Sequence, residues 1–218
     1  ALGRKIDAAL WENRLPASIY QAKRQSPDVT VRQSFATMDQ GHPSPETGAY
    51  FQKDWLKAYQ PNELPERLNR YCVSDHAVKK TQTSDRQCII PFGVDEHGVA
   101  WVLPDLWWDK SDTGELVEQM LAAMKRHQPI TWMAGKDHIS GSIGPFLRKR
   151  MREANTFVSI QEVTEGTDLQ QRAQAIKGRM SMGMVRFPTW IPCWAKMQKE
   201  ILTFPNGKNN DVVACLAH

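Results

Sequence analysis

Leu68-Asn-Arg-Tyr-Cys-Val-Ser-Asp75 reads as a β-strand, residues 68–74, that ends in an acid. It is the first of three strands in a row. Residues 87–94 form the second. The third spans residues 99–107 and follows the turn Asp95-Glu-His-Gly98. Two strands joined by a short loop containing glycine make an antiparallel hairpin.

Beyond the hairpin the pattern changes to alternating helices and strands. Ser111 and Asp112 offer caps for a helix whose Leu116, Val117, Met120, Leu121 and Met124 fall on one face. Residues 130–134 form a short buried strand. A helix over 144–155 follows, with Pro145 tolerated in its first turn. Next come a strand near 157–163, a helix over 168–182, a short strand at 184–187, and a helix within 190–202 that starts after Pro192. Residues 204–218 open with turn chemistry, Pro205-Asn-Gly207, and close with an apolar run, 212–217, that reads as the start of a buried helix. The fold class is therefore α/β: a mixed sheet flanked by helices, antiparallel at one edge and parallel beyond it.

Residues 1–66 read differently. Residues 6–15 and 18–25 suit two short helices, the first stopped at Pro16. The loop Asp39-Gln-Gly-His-Pro-Ser-Pro-Glu-Thr-Gly48 follows, and its prolines and glycines forbid long helices or central strands. Tyr50, Phe51, Trp55 and Tyr59 are suited to glue this irregular arm to a core in residues 67–218, because aromatic side chains bury large areas. The expected organisation is an arm, 1–66, packed on a domain, 67–218.

The whole chain, 218 residues with 41% hydrophobic and 24% charged, suits a globular domain with a sizeable core. No run approaches the roughly 20 apolar residues of a membrane span, and no signal core follows Ala1-Leu-Gly-Arg-Lys5. The missing initiator methionine suits a fragment or a processed product. Cys72, Cys88, Cys193 and Cys215 include no CxxC pair, which argues against a zinc site and fits a reducing cytosol. A net charge of +4 is compatible with a nucleic-acid partner.

The acids carry the chemistry. Asp75 ends a strand, and in open α/β sheets ligands gather at the carboxyl ends of strands. Asp137 lies just past the strand 130–134, in Trp132-Met-Ala-Gly-Lys-Asp137, and Asp211 starts the last helix. Each has a plain alternative: a polar strand end for Asp75, a loop acid or cap for Asp137, a helix cap for Asp211. Taken together, a central strand, its neighbour and a late helix can bring three carboxylates to one place. Acids without His or Cys partners select hard cations, Mg²⁺ or Mn²⁺. Two such ions can activate a water and stabilise the leaving oxygen in phosphodiester cleavage.

The chain resembles the nuclease domain of tailed-phage large terminases, the subunit that drives viral DNA packaging. Leu10-Trp-Glu-Asn-Arg14 is similar to that family's segment between ATPase and nuclease. Pro43-Ser-Pro-Glu-Thr-Gly48 up to Phe51, and Trp55 to Tyr59, resemble its next passages. Tyr71-Cys-Val-Ser-Asp75-His-Ala77 resembles the strand with the first catalytic acid. Ile143-Gly-Pro-Phe-Leu147 resembles a family helix start. Arg172-Ala173, Gly178-Arg179 and Gly183-Met-Val-Arg-Phe-Pro188 follow in family order, and so do Glu200-Ile-Leu-Thr-Phe-Pro205 and Asp211.

The resemblance implies an RNase H-like fold and two-metal cleavage of concatemeric double-stranded DNA with little sequence specificity. It implies Asp75 and Asp211 as catalytic metal ligands, joined by Asn210, with Asp137 expected to substitute as the catalytic second acid, and two ions, Mg²⁺ or Mn²⁺. It also implies an ATPase domain in the same full-length chain, a portal protein and a small terminase subunit as partners, with no membrane. The expected location is the host cytoplasm, transiently at the procapsid portal. No GxxxxGK[ST] occurs, so ATP is not expected as a ligand here. Phosphate contacts are expected from Lys79, Lys80 and Arg86 beside the first acid, from Lys136, and from Arg148 and Lys149, with Arg150, Arg152, Lys177 and Arg179 as further cations. Trp107 and Trp108 suit packing.

Four positions depart from the family, one of them Leu169, where relatives have Lys. Gly135 stands where relatives have Glu, with Asp137 two residues on. Asn210-Asp211 replaces a pair of acids. Ala214 replaces a third. Two other readings remain: a different RNase H-like nuclease, such as a transposase, integrase or resolvase, and a DNA- and portal-docking module that cuts weakly.

Overall fold

The computed structural model describes residues 17–26, 49–76, 87–136, 143–164 and 168–218. They belong to two compact units, Ala1–Tyr50 and Phe51–His218. In the first, helix α1 (Ala17–Gln25) covers the helix expected at 18–25. Its last turn carries Lys23 and Arg24, which suits the negative end of a helix dipole.

The second unit is built on one mixed sheet, eight-stranded among the described residues. Its strands are β1 (Lys57–Tyr59), β2 (Asn69–Asp75), β3 (Gln87–Val94), β4 (Ala100–Val102), β5 (Trp107–Asp109), β6 (Thr131–Gly135), β7 (Ser159–Val163) and β8 (Val185–Pro188). Their order is β1-β8-β4-β3-β2-β6-β7, with β5 on β3. β3 runs antiparallel to β2, β4 and β5, and the other described pairs are parallel. The antiparallel strands therefore lie in the middle of the sheet and not at one edge, as the sequence suggested. The outer side of β4 would leave a row of backbone groups unpaired. β8 returns to cover it, and β1 then covers β8.

The expected third strand is broken into β4 and β5. Between the pairs Phe92↔Val102 and Ile89↔Trp107, residues 103–106 face only residues 90 and 91. Pro104 has no N–H for a ladder, so a bulge at this point is the natural outcome. The preceding hairpin turn is held by Asp95, whose Oδ1 accepts from the His97 and Val99 amides at 2.9 Å each. Gly98 there has φ +76°, a conformation glycine adopts without a steric penalty.

Helix α2 (Thr113–His127) starts where the caps were expected: Asp112 Oδ1 accepts from the Glu115 amide at 2.8 Å. Its buried face, Leu116, Val117, Met120, Leu121 and Met124, packs with Cys72, Ile89 and Trp132 of the sheet. Helix α3 (Gly144–Glu153) adds Leu147 and Met151 to this core. Full burial of each such side chain contributes roughly 1.5–3 kcal/mol. The helix expected over 168–182 is two, α4 (Leu169–Arg172) and α5 (Gln174–Ser181), separated at buried Ala173. α6 (Trp194–Thr203) and α7 (Asp211–Leu216) complete the unit. Residues 51–66 of the expected arm pack within it. The Phe51 ring lies 5.9 Å from that of Phe204, and Tyr59 sits edge-on to Trp101 and Trp190.

Candidate metal centre

Side chains alternate across a strand, so β2 presents two different faces. Cys72 joins the core under α2. Ser74 is on that side too, and its Oγ accepts from Trp132 Nε1 at 2.8 Å. Val73 and Asp75 therefore face the other way, towards α7, which packs on β2 and β3. The ladder fixes where Asp75 stands: opposite Cys88 of β3, one step beyond the pair Ser74↔Ala134 with β6. The Trp132–Ser74 bond lies beside the acid, on the opposite face of the strand.

Asp211 reaches the same place from the helix side. Asn210, not Asp211, occupies the N-cap position of α7, and its side chain makes no capping bond. The Asp211 carboxylate is engaged elsewhere: its Oδ2 accepts from Trp108 Nε1 at 3.0 Å. The helix start is capped from outside by Glu200 of α6, whose Oε1 accepts from the Val212 amide at 2.6 Å. Glu200 is 5% exposed. Burial pushes its pKa up to about 7; the bond from Val212 opposes that, and the charge of Asp211 adds to it.

Cys88 is the meeting point. Asp75 pairs with it on one side and Trp108 on the other. From across the sheet face, Cys215 of α7 donates its thiol to the Cys88 carbonyl at 3.4 Å. Burial pushes the Cys88 thiol up, and Glu200, Asp75 and Asp211 push in the same direction against the bond to Cys215. All three carboxylates thus act on one buried residue, at the carboxyl end of β2.

The other expected residues are placed as follows. Asn210 is exposed beside Asp211, and Lys136 is exposed at the end of β6, after Gly135. Arg148 and Lys149 are exposed on α3, where Lys149 lies 3.9 Å from Glu153. Arg150 is tied to Glu118 and Glu153, and Arg179 donates to the Gly98 carbonyl. Asp137, Lys79, Lys80 and Arg86 lie outside the described residues. Among the described residues, no group of three His, Cys, Asp or Glu side chains forms a metal-holding cluster. The donors that are described, Asp75, Asp211 and the Asn210 carboxamide, are all oxygens, and this chemistry fits a hard divalent cation.

Sequence reasoning missed Glu200 and Trp108. Both left a signal. Glu200 falls on the buried face of α6, between Met197 and Ile201, where a lone charge needs a partner. Trp107 packs against the α2 core, so strand alternation turns Trp108 to the opposite face, the one that carries Asp75.

No protein-family model matches the sequence, and no curated protein matches it. Solved structures do match the fold. The human cytomegalovirus terminase nuclease domain superposes with a TM-score of 0.56 at 10% identity, over 77% of this chain and 92% of that one. The large terminase nuclease of thermophilic phage G20c, solved with bound cobalt, gives 0.51 at 13% identity, over 75% of this chain and 91% of that one. The large terminase of bacteriophage HK97 gives 0.52 at 12% identity; the match spans 71% of this chain and 36% of that protein. The chain has the fold of terminase nuclease domains: a mixed, RNase H-like sheet flanked by helices.

Proposed function

We propose that this chain is the nuclease of a viral DNA-packaging motor, a metal-dependent endodeoxyribonuclease acting on concatemeric double-stranded DNA with little sequence preference. The observation that carries the reading is the convergence of Asp75 and Asp211 around Cys88 on a fold shared with terminase nucleases. Asp75, Asp137 and Asp211 are the residues we assign to the divalent cations, Mg²⁺ or Mn²⁺, with Asn210 adding a neutral oxygen. The cobalt-bound neighbour supports a divalent ion as the class. When bound, such ions neutralise charge on the scissile phosphate and make an attacking water more acidic.

The chain's own groups set the geometry. The β2–β3 ladder fixes Asp75. The Trp108 indole orients the Asp211 carboxylate, and Glu200 anchors the first turn of α7. Lys79, Lys80, Arg86, Lys136, Arg148 and Lys149 are proposed contacts to DNA phosphates, which give affinity without sequence information. The division into an arm, 1–66, and a nuclease, 67–218, is also a proposal. So are an ATPase domain in a longer chain, the portal and small-subunit partners, and a site of action in the host cytoplasm.

Supercoiled-plasmid nicking tests the reading. Cleavage is expected with Mg²⁺ or Mn²⁺ and none in EDTA. Asp75→Ala and Asp211→Ala should each lower the rate by about 10³-fold or more, the scale seen when a transition-state charge loses its partner. Loss in Asp137→Ala would place the third ligand. One observation favours a second reading. Gly135, the β6 residue after Ala134, offers no side chain beside Asp75, and Asn210 offers no charge. A parent protein that shifts DNA mobility but never cuts it would identify a docking module instead.

A further inference from the structure

A cleft of about 230 Å³ opens beside Asp211, lined by Lys196, Lys199, Lys208, Thr203, Asn209 and Trp108, with Glu200 in its wall. None of its lysines stood out in the sequence, because they come from two segments. Lys196, Lys199 and Thr203 follow one another at helical spacing along one face of α6, the side away from buried Met197 and Ile201. Lys208 and Asn209 belong to the loop between α6 and α7. That loop lies tight against the helix: a Cβ on Gly207 would stand 2.6 Å from Thr203 Oγ1. The Thr203 hydroxyl itself donates to the Lys199 carbonyl at 2.9 Å, which holds it in place. Glycine at 207 is what allows Lys208 to close over the end of α6.

The floor of the cleft is the indole of Trp108. Lys196 Nζ lies 3.8 Å from its ring centroid, and its Nε1 holds Asp211. One aromatic ring thus separates a basic cleft from a candidate metal ligand. Of the cleft's cations, Lys196 acts on the Glu200 carboxylate. Glu200 is buried with Oε1 on the Val212 amide, and the Asp211 carboxylate is held by Trp108. Lys199 and Lys208 make no ion pair among the described residues. A concave site with the Lys199 and Lys208 ammonium groups and a carboxamide, against an aromatic wall that a third lysine covers, suits a phosphate diester better than a carboxylate or an apolar group.

We propose that this cleft binds the phosphodiester backbone of a DNA strand and holds it alongside Asp211. The proposal rests on the nuclease reading for the identity of the strand, and it makes Lys199 and Lys208 positioning residues for that substrate. Lys196 braces the Trp108 face of the same cleft.

Equilibrium binding of a short labelled duplex, measured in EDTA so that nothing is cut, tests it across a KCl series. Lys199→Gln with Lys208→Gln is expected to lower affinity about 10-fold or more at low salt. It should also reduce the slope of log K against log[KCl] by about 2, since each lost phosphate contact removes roughly 0.9. Gly207→Ala keeps every charge but displaces Lys208, and it should weaken binding in the same direction. Lys53→Gln with Lys125→Gln removes equal charge elsewhere. If that pair weakens binding as much, the attraction is diffuse and the proposal is overturned. An unchanged slope in the Lys199/Lys208 variant, with its unfolding midpoint intact, also overturns it. So does competition by inorganic phosphate that depends on these lysines while duplex binding does not, since the site would then take free phosphate. A parent that never nicks plasmid, yet shows the two-lysine slope, overturns the nuclease reading and leaves the cleft standing. Cleavage without the slope effect does the reverse.

Discussion

The two halves of the candidate centre are built by different means. Asp75 is placed by main chain: a seven-residue strand paired on both sides, with one buried bond from Trp132 to Ser74 beside it. Asp211 is placed by side chains from distant segments. Trp108 holds its carboxylate, Glu200 holds the helix start, and Cys215 ties the helix to β3. A ladder distributes its support over many bonds, so a single side chain matters little to it. A short helix such as α7, of six residues, cannot hold itself and depends on a few tertiary contacts. The Asp211 half should therefore be the fragile one.

The largest expected effect follows from Glu200. Glu200→Ala leaves the buried Val212 amide without its acceptor and opens a void under α7. The combined cost is on the order of 3 kcal/mol. Glu200→Gln keeps an acceptor for Val212 and should lose less than half of that. Urea unfolding at neutral pH measures both. Equal losses in the two variants would show that the bond to Val212 does not anchor the helix.

A medium effect separates positioning from stability. Trp108→Phe removes the donor to Asp211 and trims the ring that Lys196 covers. The nicking rate should fall about 10-fold, equivalent to ~1.4 kcal/mol, with little change in unfolding midpoint. Ser74→Ala is its counterpart on the other half. It leaves the Trp132 indole N–H unpaired in the core and should cost about 1 kcal/mol of stability, while the nicking rate holds. The comparison breaks if the two variants exchange phenotypes, stability loss for Trp108→Phe and rate loss for Ser74→Ala.

The same division explains what the sequence disclosed. Strand 69–75 and its terminal acid were legible because a run of strand residues and a polar end are local properties. So were the Asp112 cap and the apolar face of α2. The place of β8 and β1 beyond β4 was not, since strand order depends on which free edge a later strand covers. The split at residues 103–106 had a local cause, Pro104, but its two-residue mismatch becomes visible only against β3. Asp211 stood out as a helix-starting acid. Its brace did not, because Trp108 lies 103 residues away in sequence. Charge pattern alone did not show which cations are engaged: Arg150 is tied to Glu118 and Glu153, Lys149 lies 3.9 Å from Glu153, and Arg179 donates to the Gly98 carbonyl.

The smallest effect concerns how Trp108 is held at a distance. The bulge 103–106 sets the register of β5, and Asp105 in that bulge is clamped by the end of α2. Arg126 Nη1 donates to Asp105 Oδ2 at 3.0 Å, and His127 Nε2 lies 2.9 Å from the same oxygen. Partial burial pushes the Asp105 carboxyl up, but His127 and Arg126 outweigh it and hold its pKa down at about 2. An acid held below its unfolded value contributes stability above that value and loses it as pH falls through the folded value. The contribution should be complete above about pH 4 and gone near pH 2. Because the pair is partly open to solvent, its size is about 1 kcal/mol. Asp105→Asn should show that loss at neutral pH and a flatter acid limb, read by urea unfolding over the pH series. If the bulge transmits to the centre, the same variant also slows nicking by about 2-fold. A changed acid limb with an unchanged rate would mean that β5 keeps its register without the clamp, and that Trp108 depends only on its pairing with Cys88.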